Sequence, residues 1–211
     1  VDFLEVARRA SDLPARLPPP PVALLPVRTD SGDRRPPAAP EGVAPVESAV
    51  LVLVTPDADG SAGVLLTERA DRGGHHSGEV SFPGGRAEPG DRDLADTAIR
   101  EAREEVALDP DQDGFAVVGP LSSFWIPVSN FRVTPYLAFA NRRPALVPSE
   151  AEVARIVWAP IDTFLPGAPI EIVEREVRGW PLRYGGYRID GLHVWGATAR
   201  ILGQLGALLA V

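Results

Sequence analysis

Arg100-Glu101-Ala102-Arg103-Glu104-Glu105 packs three carboxylates into five positions. On a helix Glu101 and Glu104 stand three apart and Glu101 and Glu105 four apart, so all three project from one sector. Like charges on one turn repel one another unless solvated or neutralised. A hard divalent cation such as Mg²⁺ would neutralise them, because it prefers carboxylate oxygens together with water and phosphate oxygens. A solvated face with Arg100 and Arg103 interspersed would carry the same string, so context has to decide. Upstream, Gly84-Gly85 follows the short run Glu79-Val80-Ser81-Phe82. Glycines at a strand end let backbone approach a ligand closely.

The carboxylates need a rigid helix to hold them. Leu94, Ala95, Ile99, Ala102 and Val106 fill the arc beside them and would pack on a sheet. Asp93 is placed to cap the helix, and Asp96 three residues on suggests a capping box, which predicts a helix over 94–106. The apolar runs 49–55 and 63–67, separated by Asp57-Ala58-Asp59-Gly60, read as strands, as do 79–82, 116–118, 133–140, 153–158 and 170–177. Residues 192–209 have apolar side chains at helical spacing, with His193 expected as a satisfied structural histidine at the helix start. Residues 1–45 are expected to form a short helix and a proline-rich arm, extended on the surface or acting as a linker. Residues 46–211 would be the folded domain, a mixed sheet flanked by helices, α/β or α+β.

Composition narrows the chemistry. With no cysteine among 211 residues, disulfides, thiolate zinc sites and cysteine nucleophiles are excluded. The net charge of −8 argues against a general nucleic-acid binder, though one or two arginines and a cation would serve a small phosphorylated substrate. The first residues lack the order of a signal peptide and no apolar run reaches membrane-spanning length, so a soluble cytoplasmic protein without membrane partners is expected. The lack of any methionine suggests numbering that begins after a trimmed start. A homodimer is permitted but not demanded.

The string from Gly85 to Leu108 resembles the box of the Nudix hydrolase superfamily: glycine, five residues, glutamate, seven residues, then Arg-Glu-apolar-x-Glu-Glu-x-Gly-apolar. Arg100, Glu101, Ala102, Glu104, Glu105 and Leu108 fit the second half, with Ala107 in place of the glycine. In the first half Arg92 occupies the glutamate position and Gly85 lies one residue too far away, a departure repaired by one inserted residue with Asp91 acting for the glutamate. The resemblance implies an α/β/α sandwich with a mixed central sheet, and Mg²⁺ or Mn²⁺ as cofactor. Glu101 and Glu105 would be principal ligands, Glu104 a further ligand or the catalytic base, and the Gly85 backbone a contributor. Arg100 would be structural, paired with an acid such as Asp91.

Leu65-Leu66-Thr67-Glu68-Arg69, Gly78 and Phe82-Pro83-Gly84-Gly85 further resemble the coenzyme A pyrophosphatase branch, as does His193-Val194-Trp195-Gly196-Ala197-Thr198-Ala199-Arg200 near the end. That likeness implies hydrolysis of coenzyme A or its derivatives to 3′,5′-ADP and 4′-phosphopantetheine, with Arg69, Arg72, His76, Phe82 and Gly84 against the substrate. Gly74 stands where the branch has a loop arginine. Two alternatives stay open: a Nudix enzyme for ADP-ribose or NADH, and a non-catalytic nucleotide-binding regulator.

Overall fold

A computed structural model describes residues 1–34, 36, 38–70, 79–177 and 179–210. Strands β1 (Val27–Arg28), β2 (Val46–Pro56), β3 (Ala62–Arg69), β4 (Val80–Ser81) and β5 (Gly84–Arg86) precede helix α2 (Leu94–Val106), and helix α1 (Phe3–Arg9) opens the chain. After the short α3 (Pro110–Asp113) come β6 (Phe115–Pro120), β7 (Phe124–Ile126), β8 (Phe131–Ala140), β9 (Val153–Pro160), β10 (Glu171–Val177), β11 (Trp180–Ile189) and β12 (Leu192–Trp195). Helix α4 (Gly196–Leu209) closes the described chain. The larger sheet runs β4-β3-β2-β8-β6, with β5 on β2, β7 on β8 and β9 on β3. Among the described residues only β2 and β8 pair in parallel, so the sheet is mixed. A smaller antiparallel sheet joins β1, β10 and β12 to β11.

The unbroken apolar run of β2 has a direct physical reason, since a strand reads this way when both faces of its sheet are covered. Val52 and Val54 belong to a core shared with α1 and α4, whereas Ala49, Leu51 and Leu53 belong to a second core with Ala98, Ala102 and Val106 of α2. The result is a sheet between helical layers, an α+β architecture with α2 on one face and α4 on the other.

Helix α2 occupies the expected span, and the Asp93 side chain accepts from the Asp96 amide at 2.9 Å. The reciprocal half of a capping box is missing: Asp96 accepts from the Arg92 amide at 3.2 Å and pairs with the Arg92 guanidinium. Two expectations need correction. Residues 192–195 form a strand, and the last helix begins only at Gly196. His193 therefore lies on β12, opposite Arg188, and its Nε2 is buried without a hydrogen-bond partner among the described residues. The proline-rich segment also takes part in the core. Leu24 within it is buried in the core that contains α4, together with Phe3, Val6 and Ala10 of the helix that Asp2 caps. Proline denies a segment its ladder hydrogen bonds without preventing neighbouring side chains from packing. No helix among the described residues is long and apolar enough to cross a membrane.

Candidate active site

β5, the first turns of α4 and the carboxylate face of α2 converge on a cavity of about 390 Å³. Gly84, Gly85, Glu101, Glu105, Arg69, Phe82 and Glu152 are among its lining residues. β5 pairs with β2 so that Gly85 faces Ala49, which carries the glycine pair past the start of the sheet and under α2. A Cβ on Gly85 would stand 2.5 Å from the Glu101 carboxylate. Only glycine leaves this close approach open.

Glu105 is strongly changed by the fold. It is 4% exposed, and its Oε1 accepts from the Gly84 amide at 3.4 Å. Burial pushes its pKa up to about 7, against smaller opposing effects of the Gly84 amide and the Arg69 charge. Glu101 also shifts upward through burial, partly offset by Arg100. Arg100 is held on the other side. Its Nε donates to Asp91 Oδ1 at 2.9 Å, its Nη2 donates to the Arg86 carbonyl at 2.9 Å, and its Nη1 donates to Glu101 Oε1 at 3.0 Å. Asp91 further accepts from Thr97 Oγ1 at 2.8 Å. The Arg100 guanidinium holds the Asp91 carboxyl well below the usual carboxylate range. Arg100 thereby ties the loop, β5 and Glu101 together, while Arg92 turns outward to Asp96.

The sequence-predicted residues do not all meet. Arg69, Phe82, Gly84, Gly85, Glu101 and Glu105 share the cavity. Glu104 does not line it: its carboxylate accepts from Arg100 Nη1 at 3.3 Å and its side chain is 58% exposed. Arg72 and His76, with Gly74 and Gly78, lie outside the described residues. Ser48, Ser81, Arg86, Thr198 and Ile201 also line the cavity, although the sequence reading did not single them out. Ser81, Arg86 and Thr198 lie within the motifs at 79–86 and 193–200 and Ile201 follows the second, whereas Ser48, on β2, had no signal of its own.

Among the described residues no three acidic or imidazole side chains converge as a metal cluster. Glu101 and Glu105 nevertheless suit Mg²⁺, which is commonly held by one or two carboxylates plus water and substrate phosphate. Their upward-shifted pKa values mark negative charge that the surrounding protein does not fully compensate.

The NUDIX domain family model matches residues 45–177. The chain belongs to the Nudix family. It is 36% identical over 169 residues to Nudix hydrolase 15, mitochondrial, of Arabidopsis thaliana, covering 77% of this chain and 58% of that protein. The chain thus spans little more than half the length of that plant relative. It is 37% identical over 146 residues to the uncharacterized Nudix hydrolase NudL of Pectobacterium atrosepticum, covering 67% of this chain and 72% of that protein. A MutT/nudix family protein from Enterococcus faecalis aligns with a TM-score of 0.51 over 82% of this chain and 63% of that one, at 18% identity, a likeness of fold alone. In this Nudix chain Ala107, at the position of the box glycine, ends α2 in the left-handed region at φ +56°. Glycine suits a helix end of this kind because it has no Cβ to strain.

Proposed function

We propose that the chain hydrolyses the diphosphate bond of coenzyme A or its derivatives, giving 3′,5′-ADP and 4′-phosphopantetheine or its acyl form. One observation carries this reading: Arg69, at the end of the Leu-Leu-Thr strand, and Phe82, Gly84 and Gly85 line the same cavity as Glu101 and Glu105. Those belong to two of the stretches on which the coenzyme A resemblance rests, and here they flank the buried Glu105 and the half-buried Glu101. The relatives named as Nudix hydrolases support the chemistry more broadly.

Mg²⁺ or Mn²⁺, bound beside Glu101 and Glu105, would offset charge on the diphosphate and acidify a water. Glu101 and Glu105 supply the oxygens, and the Gly85 backbone leaves the room. Arg100 keeps Glu101 oriented through its hydrogen bond, and Arg69 adds a positive charge at the cavity wall for a phosphate oxygen. Glu104 is the proposed base. It lies on the exposed face of α2, one residue before Glu105, and reaches the reacting water by leaving Arg100. Glu152 also lines the cavity wall and is the alternative carboxylate for that role.

The test is incubation of the pure protein with coenzyme A, ADP-ribose and NADH, each with Mg²⁺, Mn²⁺ or EDTA, followed by mass identification of products. Metal-dependent release of 3′,5′-ADP, well above cleavage of the other two, supports the proposal. Cleavage of ADP-ribose or NADH alone replaces the substrate. Tight nucleotide binding without turnover leaves a regulator.

A further inference from the structure

Helix α4 touches two cavities with adjacent faces of its first turns. Ala197, Thr198 and Ile201 line the carboxylate cavity, while Gly196, Ala197 and Arg200 line a second cavity of about 320 Å³. Ala197 and Ile126 are common to both, so the two spaces adjoin. Phe124, Trp125 and Pro127 form one wall of the second cavity, and Arg34 and Pro36 of the proline-rich segment form its rim. Trp125 donates from Nε1 to Asn130 Oδ1 at 3.0 Å, which fixes its ring.

Arg200 is the unusual group. Its guanidinium lies 4.2 Å from the centre of the Phe124 ring. It is partly buried, and no ion pair to it is formed among the described residues. Desolvation alone shifts its pKa, downward, so no acid among the described residues compensates its burial. In a chain of net charge −8 carboxylates are plentiful, yet none of the described ones acts on Arg200. A partly desolvated cation without a counter-charge is costly unless a ligand supplies one.

We propose that this second cavity is a subsite for the phosphate monoester on the nucleoside half of the substrate, held by Arg200 with Arg34 at the rim. The base and ribose would lie against the wall of Phe124 and Trp125. A phosphate monoester carries nearly two negative charges at neutral pH and accepts a two-pronged hydrogen bond from one guanidinium. An uncharged pantetheine arm would gain nothing from that cation. The assignment rests on the coenzyme A reading above, and it makes the proline-rich segment part of the substrate pocket.

Calorimetric binding of 3′,5′-ADP and 5′-AMP with Mg²⁺, on the whole chain, tests the subsite without requiring turnover. The unmodified protein should bind 3′,5′-ADP about tenfold to a hundredfold more tightly, the range of a charge-assisted contact. Arg200→Gln should bring the two affinities within about threefold of each other, and Arg34→Ala should narrow the gap less. Should Arg200→Gln fail to fold, Arg200→Lys keeps charge and stem and should leave an intermediate ratio. Equal affinities in the unmodified protein, or an unchanged ratio in a folded Arg200 variant, overturn the subsite. Turnover of coenzyme A and dephospho-coenzyme A in parallel separates the two ideas. Cleavage of neither overturns the coenzyme A reading, while the nucleotide pair still judges Arg200.

Discussion

Replacing Glu105 with glutamine should stabilise the metal-free protein, and increasingly so as pH rises. Glu105 is 4% exposed, and its pKa moves from an ordinary 4.5 to about 7 because burial penalises the charged form. For a carboxyl group whose folded pKa is raised, the advantage of the neutral acid is fully present below 4.5 and is lost as pH climbs through about 7. The gap of about 2.5 in pKa, at about 1.4 kcal/mol for each tenfold, comes to about 3 kcal/mol of lost stability once the group ionises in both states. Glutamine keeps the shape and can still accept from the Gly84 amide, but it carries no charge to desolvate. Thermal melts of both proteins in EDTA at pH 5 and pH 8 would show it. The variant should lead by about 1 kcal/mol at pH 5 and by about 3 kcal/mol at pH 8. For a chain of this size the gap in Tm should widen by about 5–10 °C. Excess Mg²⁺ at pH 8 should return about 2–3 kcal/mol to the unmodified protein and much less to the variant. A stability difference that does not change with pH, or an unmodified protein that is the more stable at pH 8, would refute the account of Glu105 as a carboxylate held at a cost.

Gly85→Ala should cut diphosphate turnover by about a hundredfold by displacing Glu101, yet leave the melting temperature near normal, because the atoms nearest its Cβ are the end of a flexible side chain; paired kinetics and melts check both. Asp91→Asn should cost about 2–4 kcal/mol in urea unfolding, since it leaves the partly buried Arg100 without its closest counter-charge. Ala107→Gly should stabilise the protein by about 1 kcal/mol, as the residue is exposed and held at φ +56°, and a melting temperature that falls would count against strain at that helix end.

The parts of the fold governed by local rules were legible in the sequence. Asp93 before a run of apolar residues at helical spacing set both the start and the face of α2, and β2 announced its double-sided burial by never alternating. β11 was not foreseen, because its Gly185-Gly186 pair interrupts the pattern of a strand. The glycines are there for packing, since a Cβ on Gly185 would meet the Ala23 carbonyl oxygen at 2.5 Å. That constraint comes from a segment far away in the chain, and no local signal encodes it. The same holds for the start of α4, where Leu192-His193-Val194-Trp195 fits strand and helix periodicity alike and only its pairing with β11 decides.

The site divides in the same way. Spacing brought Glu101, Glu104 and Glu105 onto one helical sector, but spacing treats the three as equivalent, and burial does not. Glu105 lies under the glycine turn, Glu101 is shared between the cavity and Arg100, and Glu104 remains at the exposed edge. What separates them is where β5 crosses beneath α2, a tertiary fact. Packing of Ala98, Ala102 and Val106 against the sheet fixes the rotation of α2 about its axis. With that rotation fixed, Glu105 has no choice but to enter the interior. The apolar face that stabilises the helix is therefore also what raises the Glu105 pKa, and the stability lost at Glu105 on ionisation is available again to any cation that binds there.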